Sequence, residues 1–432
     1  MNKKIYLFII FFLISGCSLN KNSEFWTSSK KIVLEKGFDE VLKDKDVIKK
    51  EFNSNIKLKL KKVFNVNSNK SLLLNNPGRS NFDSELKKIS KYKFSKINNY
   101  HQYEPEILFN ENRVIFFENK GTILQFDENS KLIWKKNYYT KTEKKLNPIL
   151  QFANNDKYMV IADNIAKIYL LDLKSGNLVW SKYNIAPFNS QIKIYKDKFF
   201  VIDFSNTLRC YSLKDGNELW NIKTENALIR SQKKLSMVIY QDKIYFNNSI
   251  GDITAVDINI GDILWQLPTQ SSEIYGSAFS LETSEIVSDG KSLFFSNNKN
   301  EFFSVDMKSG NFRWKNNINA NVRPITIDKL LFTVSIDGYL IILEKDTGNI
   351  IRITDVFDKF KLKKRPKINP TGFIIGSNKI YLSTNNGRLL IIDLSDGRTE
   401  SVLKIDNEKI SSPLIIEKSL FVTKDNSVIK LN

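Results

Sequence analysis

The sequence is poor in the residues on which most catalytic and metal-binding chemistry is built. Its 432 residues include one histidine, His101, and two cysteines, Cys17 and Cys210. A single imidazole excludes histidine-rich zinc sites and leaves any Ser-His-Asp arrangement to depend on His101 alone, so His101 is read as an ordinary surface residue. Glycine loops of the P-loop or dinucleotide-binding kind are missing, and the glycines present fall in turns. Arginine is scarce as well: ten of the 66 basic residues are Arg. Bidentate recognition of bases and phosphates favours arginine. The formal charge of +19 is therefore read as lysine spread over solvated loops, with nucleic acid not an expected partner. The apolar run at 5–14 has ten residues, too few to cross a hydrocarbon core of about 30 Å.

Lys3 and Lys4 precede that run and Ile14-Ser15-Gly16-Cys17 follows it, the layout of a cleaved export signal. The stretch "ISGC" resembles the lipobox of bacterial lipoproteins, whose cysteine becomes the lipidated N-terminus. The resemblance implies a signal peptide over 1–16, acylation at Cys17 and a mature chain of 416 residues with a charge of +17 once Lys3 and Lys4 are gone. Ser18 stands where an Asp would imply retention at the inner membrane, so the outer membrane is expected. With Cys17 acylated, Cys210 has no partner for a disulfide and the fold must rest on its core. Residues 17–80 are rich in Lys, Asn and Ser and read as a tether between anchor and body. Within it "FDEVLKDKDVIKKEF" suits a short amphipathic helix and "NIKLKLKKVFNV" an exposed strand.

From about 81 onward the chain repeats itself. "DLKSGNLVW" at Asp172 returns as "SLKDGNELW" at Ser212, "DINIGDILW" at Asp257 and "DMKSGNFRW" at Asp306. The cassette glycines are Gly176, Gly216, Gly261, Gly310, Gly348 and Gly397, at intervals of 40, 45, 49, 38 and 49 residues, and a shorter copy, "DENSKLIW", ends at Trp134. Each interval holds four short alternating strands, which is one propeller blade rather than one turn of a solenoid. Seven cassettes end at Trp134, Trp180, Trp220, Trp265, Trp314, Arg352 and Ser401. After the seventh, "SSPLIIEKSLFVTKDNSVIKLN" supplies three strands of a further blade and the chain stops. An outer strand from 87–97, "KKISKYKFSKI", would complete it and remove an unpaired edge. The expected fold is all-β: an eight-bladed β-propeller of four-stranded antiparallel blades over 81–432, closed by N- and C-terminal strands in one blade.

Within the cassette, Asp is expected to accept hydrogen bonds from turn amides. Gly tolerates a left-handed turn, and Trp buries a ring against the neighbouring blade. Five of the six Trp residues sit at this position, and residues that recur in nearly every blade are structural rather than catalytic. Arg352 and Ser401 depart from the rule, so their blades are expected to be packed by other apolar residues or to be looser.

These repeats resemble the quinoprotein-type propeller, shared by quinone-dependent dehydrogenases and non-enzymatic relatives. The dehydrogenases carry a vicinal Cys-Cys pair, which this chain lacks, together with a catalytic Asp and calcium ligands. Lipobox, tether and eight blades together resemble the BamB family, the propeller lipoproteins of the outer-membrane barrel-assembly machinery. That resemblance implies no cofactor and no catalysis, and an anchor at the periplasmic face of the outer membrane. The implied role is a scaffold for inserting β-barrel proteins, docked on the periplasmic domains of the central barrel subunit. It also implies a partner loop in "ALIRSQ", with Ile229 as apolar anchor and Arg230 as charged contact, and an acidic counterpart in the next connection, where Glu282 is the available residue. Nascent outer-membrane proteins are a further expected partner, through strand addition at blade edges. The alternatives are a periplasmic quinone- or ligand-binding propeller and a generic scaffold for envelope polymers or lipids.

Overall fold

Short strands bury both faces only when sheets stack side by side, and this chain stacks eight of them around a ring. The structure, a computed structural model, describes residues 49–60, 72–98, 100, 105–225, 233–269 and 281–432. Its strands form eight four-stranded antiparallel sheets. Blade 2 is typical, with strands Leu150–Asn154, Tyr158–Asp163, Lys167–Asp172 and Leu178–Tyr183. Its second and third strands, "YMVIAD" and "KIYLLD", are buried on both faces between neighbouring blades, so they read as continuous apolar runs. The outermost strand alternates between exposed and half-buried positions because its edge meets solvent. Cys210, in the third strand of blade 3, is buried and free.

Closure comes from both ends of the chain. Lys88–Lys93 pairs antiparallel with Ser427–Leu431, which in turn pairs with Ser419–Lys424, and Leu414–Ile416 completes blade 8. Tyr92 stands opposite Val428.

The cassettes hold the blades to one another. Asp172 Oδ1 accepts from the Ser175 amide at 2.8 Å, and Asp393 Oδ1 accepts from Ser395 and Asp396 at 2.8 and 2.9 Å. Gly176 takes φ 69°, and a Cβ there would meet the Trp134 ring at 3.0 Å. The same ring-on-glycine contact joins Trp180 to Gly216, Trp220 to Gly261, Trp265 to Gly310 and Trp314 to Gly348. Four of these indoles also donate Nε1–H across the blade boundary. Trp180, Trp220 and Trp265 reach the carbonyls of Leu213, Ile258 and Met307 at 3.1 Å, and Trp314 reaches Lys345 at 2.8 Å. Trp134 is the exception: the Leu173 carbonyl in its path accepts from Gln125 Nε2 at 3.2 Å, and the Trp134 Nε1–H is left without a partner.

Arg352 corrects the expectation that blade 6 is packed by other apolar residues or is loose. Its side chain is fully buried and takes the tryptophan's place, with Nη2 lying 2.8 Å from where a Gly397 Cβ would stand. Nη1 donates to the Ile56 carbonyl at 2.8 Å and also to the Ser395 carbonyl. A guanidinium is planar like an indole and stacks in the same slot, but its extra donors need acceptors. Residues 49–58 supply one by lying along the outer strand of blade 6: Phe52 exchanges backbone hydrogen bonds with Ile353 at 3.1 and 2.9 Å, and the Leu58 amide donates to Ser395 at 2.8 Å. Ser401 is exposed and has no cassette to meet, because the fourth strand of blade 8 is Lys88–Lys93 and no turn joins it to the third strand, Ser427–Leu431. At the seam on blade 8's other side Tyr92 is the wedge, nearly fully buried, edge-on to Phe126 at 5.7 Å and within 3.3 Å of the Glu128 carbonyl.

Trp180→Ala is expected to cost about 3 kcal/mol of unfolding free energy. Arg352→Ala should cost a similar amount, about 3 kcal/mol, by removing donors from buried carbonyls. Ser401→Ala should stay within about 0.5 kcal/mol. Urea midpoints at unchanged m-value measure all three.

Candidate ligand and partner surface at the channel mouth

The first strand of every blade lines the centre of the ring, so the residues just ahead of these strands converge although they are far apart in sequence. Glu106, Gln191, Glu285, Arg323 and Ser412 each lie two positions before a first strand, and all five line one cavity of about 230 Å³. Blade 3 contributes Lys193, and blade 8 adds Lys409 and Leu414.

Residues 72–80 form the floor by crossing the channel from blade to blade. Asn75, at φ 56°, is buried with its Nδ2 within reach of Gln191 Oε1 at 3.1 Å, the Met237 carbonyl at 3.0 Å and the Ile286 carbonyl at 2.9 Å. One amide thus links blades 3, 4 and 5. Asn76 Nδ2 donates to Thr326 Oγ1 of blade 6 at 2.7 Å. The Ser80 amide donates to Ile375 of blade 7 at 2.9 Å, and Arg79 Nε donates to the Ser377 carbonyl at 3.0 Å. The chain then continues past Phe82, packed on Tyr381 at 5.4 Å, into the closing strand.

Over this floor sits a set of charges. Lys234 Nζ pairs with Glu106 Oε1 at 2.6 Å. Glu285 Oε2 accepts from Gln191 Nε2 at 2.9 Å and faces Arg323 Nη1 at 3.5 Å. Lys193 is buried, and its ammonium donates to two neutral oxygens, the Leu72 carbonyl and Asn75 Oδ1, both at 2.5 Å. Burial pushes Lys193 down to about 8; Glu106 and Glu285 oppose the shift, while Arg323 and Lys234 reinforce it. Burial would raise Glu106, but Lys234, with Lys193 and Arg323 behind it, holds its carboxyl below the usual range.

The sequence-predicted partner residues fall differently. Glu282 is exposed at the rim of blade 5, where its amide donates to Asn298 Oδ1 at 2.9 Å and its carboxylate accepts from Asn321 Nδ2 of blade 6. Ile229, Arg230, His101 and the lipidation candidate Cys17 lie outside the described residues. Sequence reasoning missed Asn75, Glu106, Lys193, Glu285 and Arg323, because the search for repeats passes over a position whose residue changes from blade to blade. For Glu106, Glu285 and Arg323 the available signal was positional, a polar residue two places ahead of a first strand, whereas Lys193 opens its strand and Asn75 precedes none.

Lys193 has a consequence for stability. Below pH 8 the folded chain carries a buried charge that the unfolded chain carries in water, so the fold bears the full cost there. For a shift from 10.5 to about 8 that cost is of the order of 3 kcal/mol. Between pH 8 and 10.5 the unfolded chain keeps a proton that the folded chain has lost, and this contribution to stability rises with pH. Lys193→Met should flatten the rise, moving the variant-to-wild-type stability difference toward the wild type by up to about 3 kcal/mol from about pH 7 to about pH 10. Chemical denaturation across that range would expose a constant difference, which this account does not allow.

Comparison with known proteins follows the same architecture. The family model described as "Outer membrane protein assembly factor BamB" matches residues 119–354. A protein named outer membrane protein assembly factor BamB from Moranella endobia is 22% identical over 273 residues, covering 62% of this chain and 68% of the relative. Among solved structures, BamB from Moraxella catarrhalis superposes with a TM-score of 0.66 at 16% identity, covering 80% of this chain and 99% of its own. The fold is also that of a quinohemoprotein alcohol dehydrogenase from Comamonas testosteroni, with a TM-score of 0.60 at 10% identity, covering 82% of this chain and 78% of the enzyme. The propeller alone therefore does not separate scaffold from enzyme, but the family model spans more than half of the sequence and runs from the first blade into the sixth. The chain belongs to the BamB family of outer membrane protein assembly factors.

Proposed function

We propose that this chain is a non-enzymatic scaffold of the outer-membrane β-barrel assembly machinery, tethered through Cys17 to the periplasmic face of the outer membrane. The observation that carries the reading is the family match across 119–354, and the relative from Moranella endobia bears the assembly-factor name. A closed ring suits the role: its core is complete without a partner, and the connections between blades are free to vary as contact surface.

The docking partner is the central barrel subunit, met through its periplasmic domains. Ile229 would enter an apolar pocket and Arg230 an acidic patch, with Glu282 adding a carboxylate on the rim of blade 5. Support for a common surface is topological. Residues 226–232 and 270–280 both connect an outermost strand to the next blade's first strand, the connection that also carries Glu282. Nascent barrel strands would be handled at blade edges by backbone pairing. The pairing of Phe52 with Ile353 is an example of extended chain added to an outer strand.

Ile229→Asp combined with Arg230→Glu is expected to cut copurification with the barrel subunit from detergent-solubilised membranes at least tenfold, while leaving the circular dichroism spectrum and urea midpoint unchanged. Undiminished copurification of a folded variant would remove this loop from the interface. Reconstitution with pyrroloquinoline quinone should give no dye-linked alcohol oxidation, and robust turnover would instead favour an enzyme.

A further inference from the structure

We propose that the outer edge of blade 6 is an acceptor site for an extended segment of another chain, one that alternates apolar and polar residues, and that residues 49–60 are the resident occupant which such a segment displaces. The outer strand, Ile350–Asp355, carries the first sign. In blades 1 to 5 the residue after the tryptophan wedge is polar and exposed: Lys135, Ser181, Asn221, Gln266 and Lys315. In blade 6 the residue after Arg352 is Ile353, which is 2% exposed. An apolar residue at an edge that meets solvent in those other blades suits an edge that is covered.

Residues 49–60 supply the cover, and they do so mostly with backbone groups. Phe52 forms an antiparallel bridge to Ile353, and the Ile56 carbonyl accepts from Arg352 Nη1 at 2.8 Å. The Leu58 amide donates to the Ser395 carbonyl at 2.8 Å, and the Lys49 carbonyl accepts from Tyr339 Oη at 2.9 Å. Backbone groups are common to every sequence, so another extended chain offers the same contacts, as in strand addition to a sheet edge. Side chains add one requirement. Ile56, Leu58 and Leu60 alternate with Lys57 and Lys59. Leu58 and Leu60 rest half-buried on the core cluster that includes Val356, Phe357 and Leu394, while both lysines are exposed. The edge therefore fits alternation rather than particular residues, and alternation of this kind is the pattern of a barrel-forming strand.

The occupant is held weakly, whereas the edge needs one. Phe52 and Ile56 leave 47% and 43% of their surface exposed, so little apolar burial holds the segment and its release is a low-energy local opening. Arg352, by contrast, is fully buried, and a guanidinium donor that loses the Ile56 carbonyl has to find another acceptor. An edge that requires a carbonyl, covered by a segment with few side-chain anchors, is poised for exchange.

This exchange deepens the strand-addition part of the proposed function and rests on it for the identity of the partner. Its test needs neither membrane nor barrel subunit, so a failure here would leave the docking loop at Ile229 and Arg230 standing. A fluorescein-labelled peptide of residues 49–60 is titrated with the purified full chain and read by anisotropy, against wild type and against Phe52→Pro with Leu58→Pro. The two prolines remove the amides that donate from the segment to Ile353 and Ser395. In the wild type the tethered occupant competes at an effective concentration of the order of millimolar, so the variant should bind the peptide at least tenfold more tightly at unchanged circular dichroism. If the pair compromises folding, Phe52→Pro alone should tighten binding at least threefold. An unlabelled peptide of unrelated sequence, with leucine and threonine in alternation, should displace the probe, and the 49–60 peptide carrying Leu58→Ser and Leu60→Ser should not. Equal affinity for wild type and variant, or no saturable binding to the folded variant, would make residues 49–60 a fixed strap and overturn the proposal. So would failure of the leucine and threonine peptide to displace the probe, or equal displacement by the serine-substituted one, since alternation would then not be what the edge reads.

Discussion

The pairing of Lys88–Lys93 with Ser427–Leu431 is the constraint on which the rest of the molecule depends. Without it, Ser427–Leu431 would present a bare edge, and blade 8 would lack the Tyr92 wedge that meets Phe126 and the Glu128 carbonyl. Joining ends so far apart is less costly than it looks, since closure entropy grows only with the logarithm of loop length, about 5 kcal/mol plus a constant for a loop of this size. A run of ladder hydrogen bonds and a buried tyrosine are enough to offset that.

With the ring closed, a second layer of organisation appears at six of the blade boundaries. There an aromatic ring or a guanidinium from one blade lies on the cassette glycine of the next, and at five of them, Trp134 being the exception, a donor on it reaches a carbonyl across the boundary. That geometry explains why Arg352 can replace tryptophan when Ile56 and Ser395 are present to accept its protons. It also explains why Ser401 is tolerated where no cassette follows. The segment before the closing strand does similar work at the centre: it ties five blades through Asn75, Asn76 and Ser80 and makes a floor for the charged mouth.

Much of this was legible in advance because a propeller writes its plan into the chain as a period. Cassette spacing located the blades, the four short alternating strands of each interval gave each blade its strands, and three unmatched strands at the C-terminus called for a fourth from 87–97. The described parts of the stretch read as a tether, 49–60 and 72–80, pack against blades 3 to 7 instead of showing in the periodicity. Their contacts use backbone groups, amides and the odd apolar side chain, which have no pattern to detect. The charged cavity was illegible for a related reason: Glu106, Lys193, Glu285 and Arg323 come from different blades and follow no repeating residue type.

The sequence by itself determined the strand period, the number of blades, the chemistry of each turn and the need for an outer strand from the N-terminal side, because those properties follow from local alternation and from a repeat every 40 to 50 residues. Tertiary structure decided which residues meet at the centre, that Arg352 acts as a wedge, and that a buried lysine stands among charged side chains from other blades. Those outcomes depend on bending eight unlike segments around one axis, and convergence of that kind leaves no mark on any single stretch of chain.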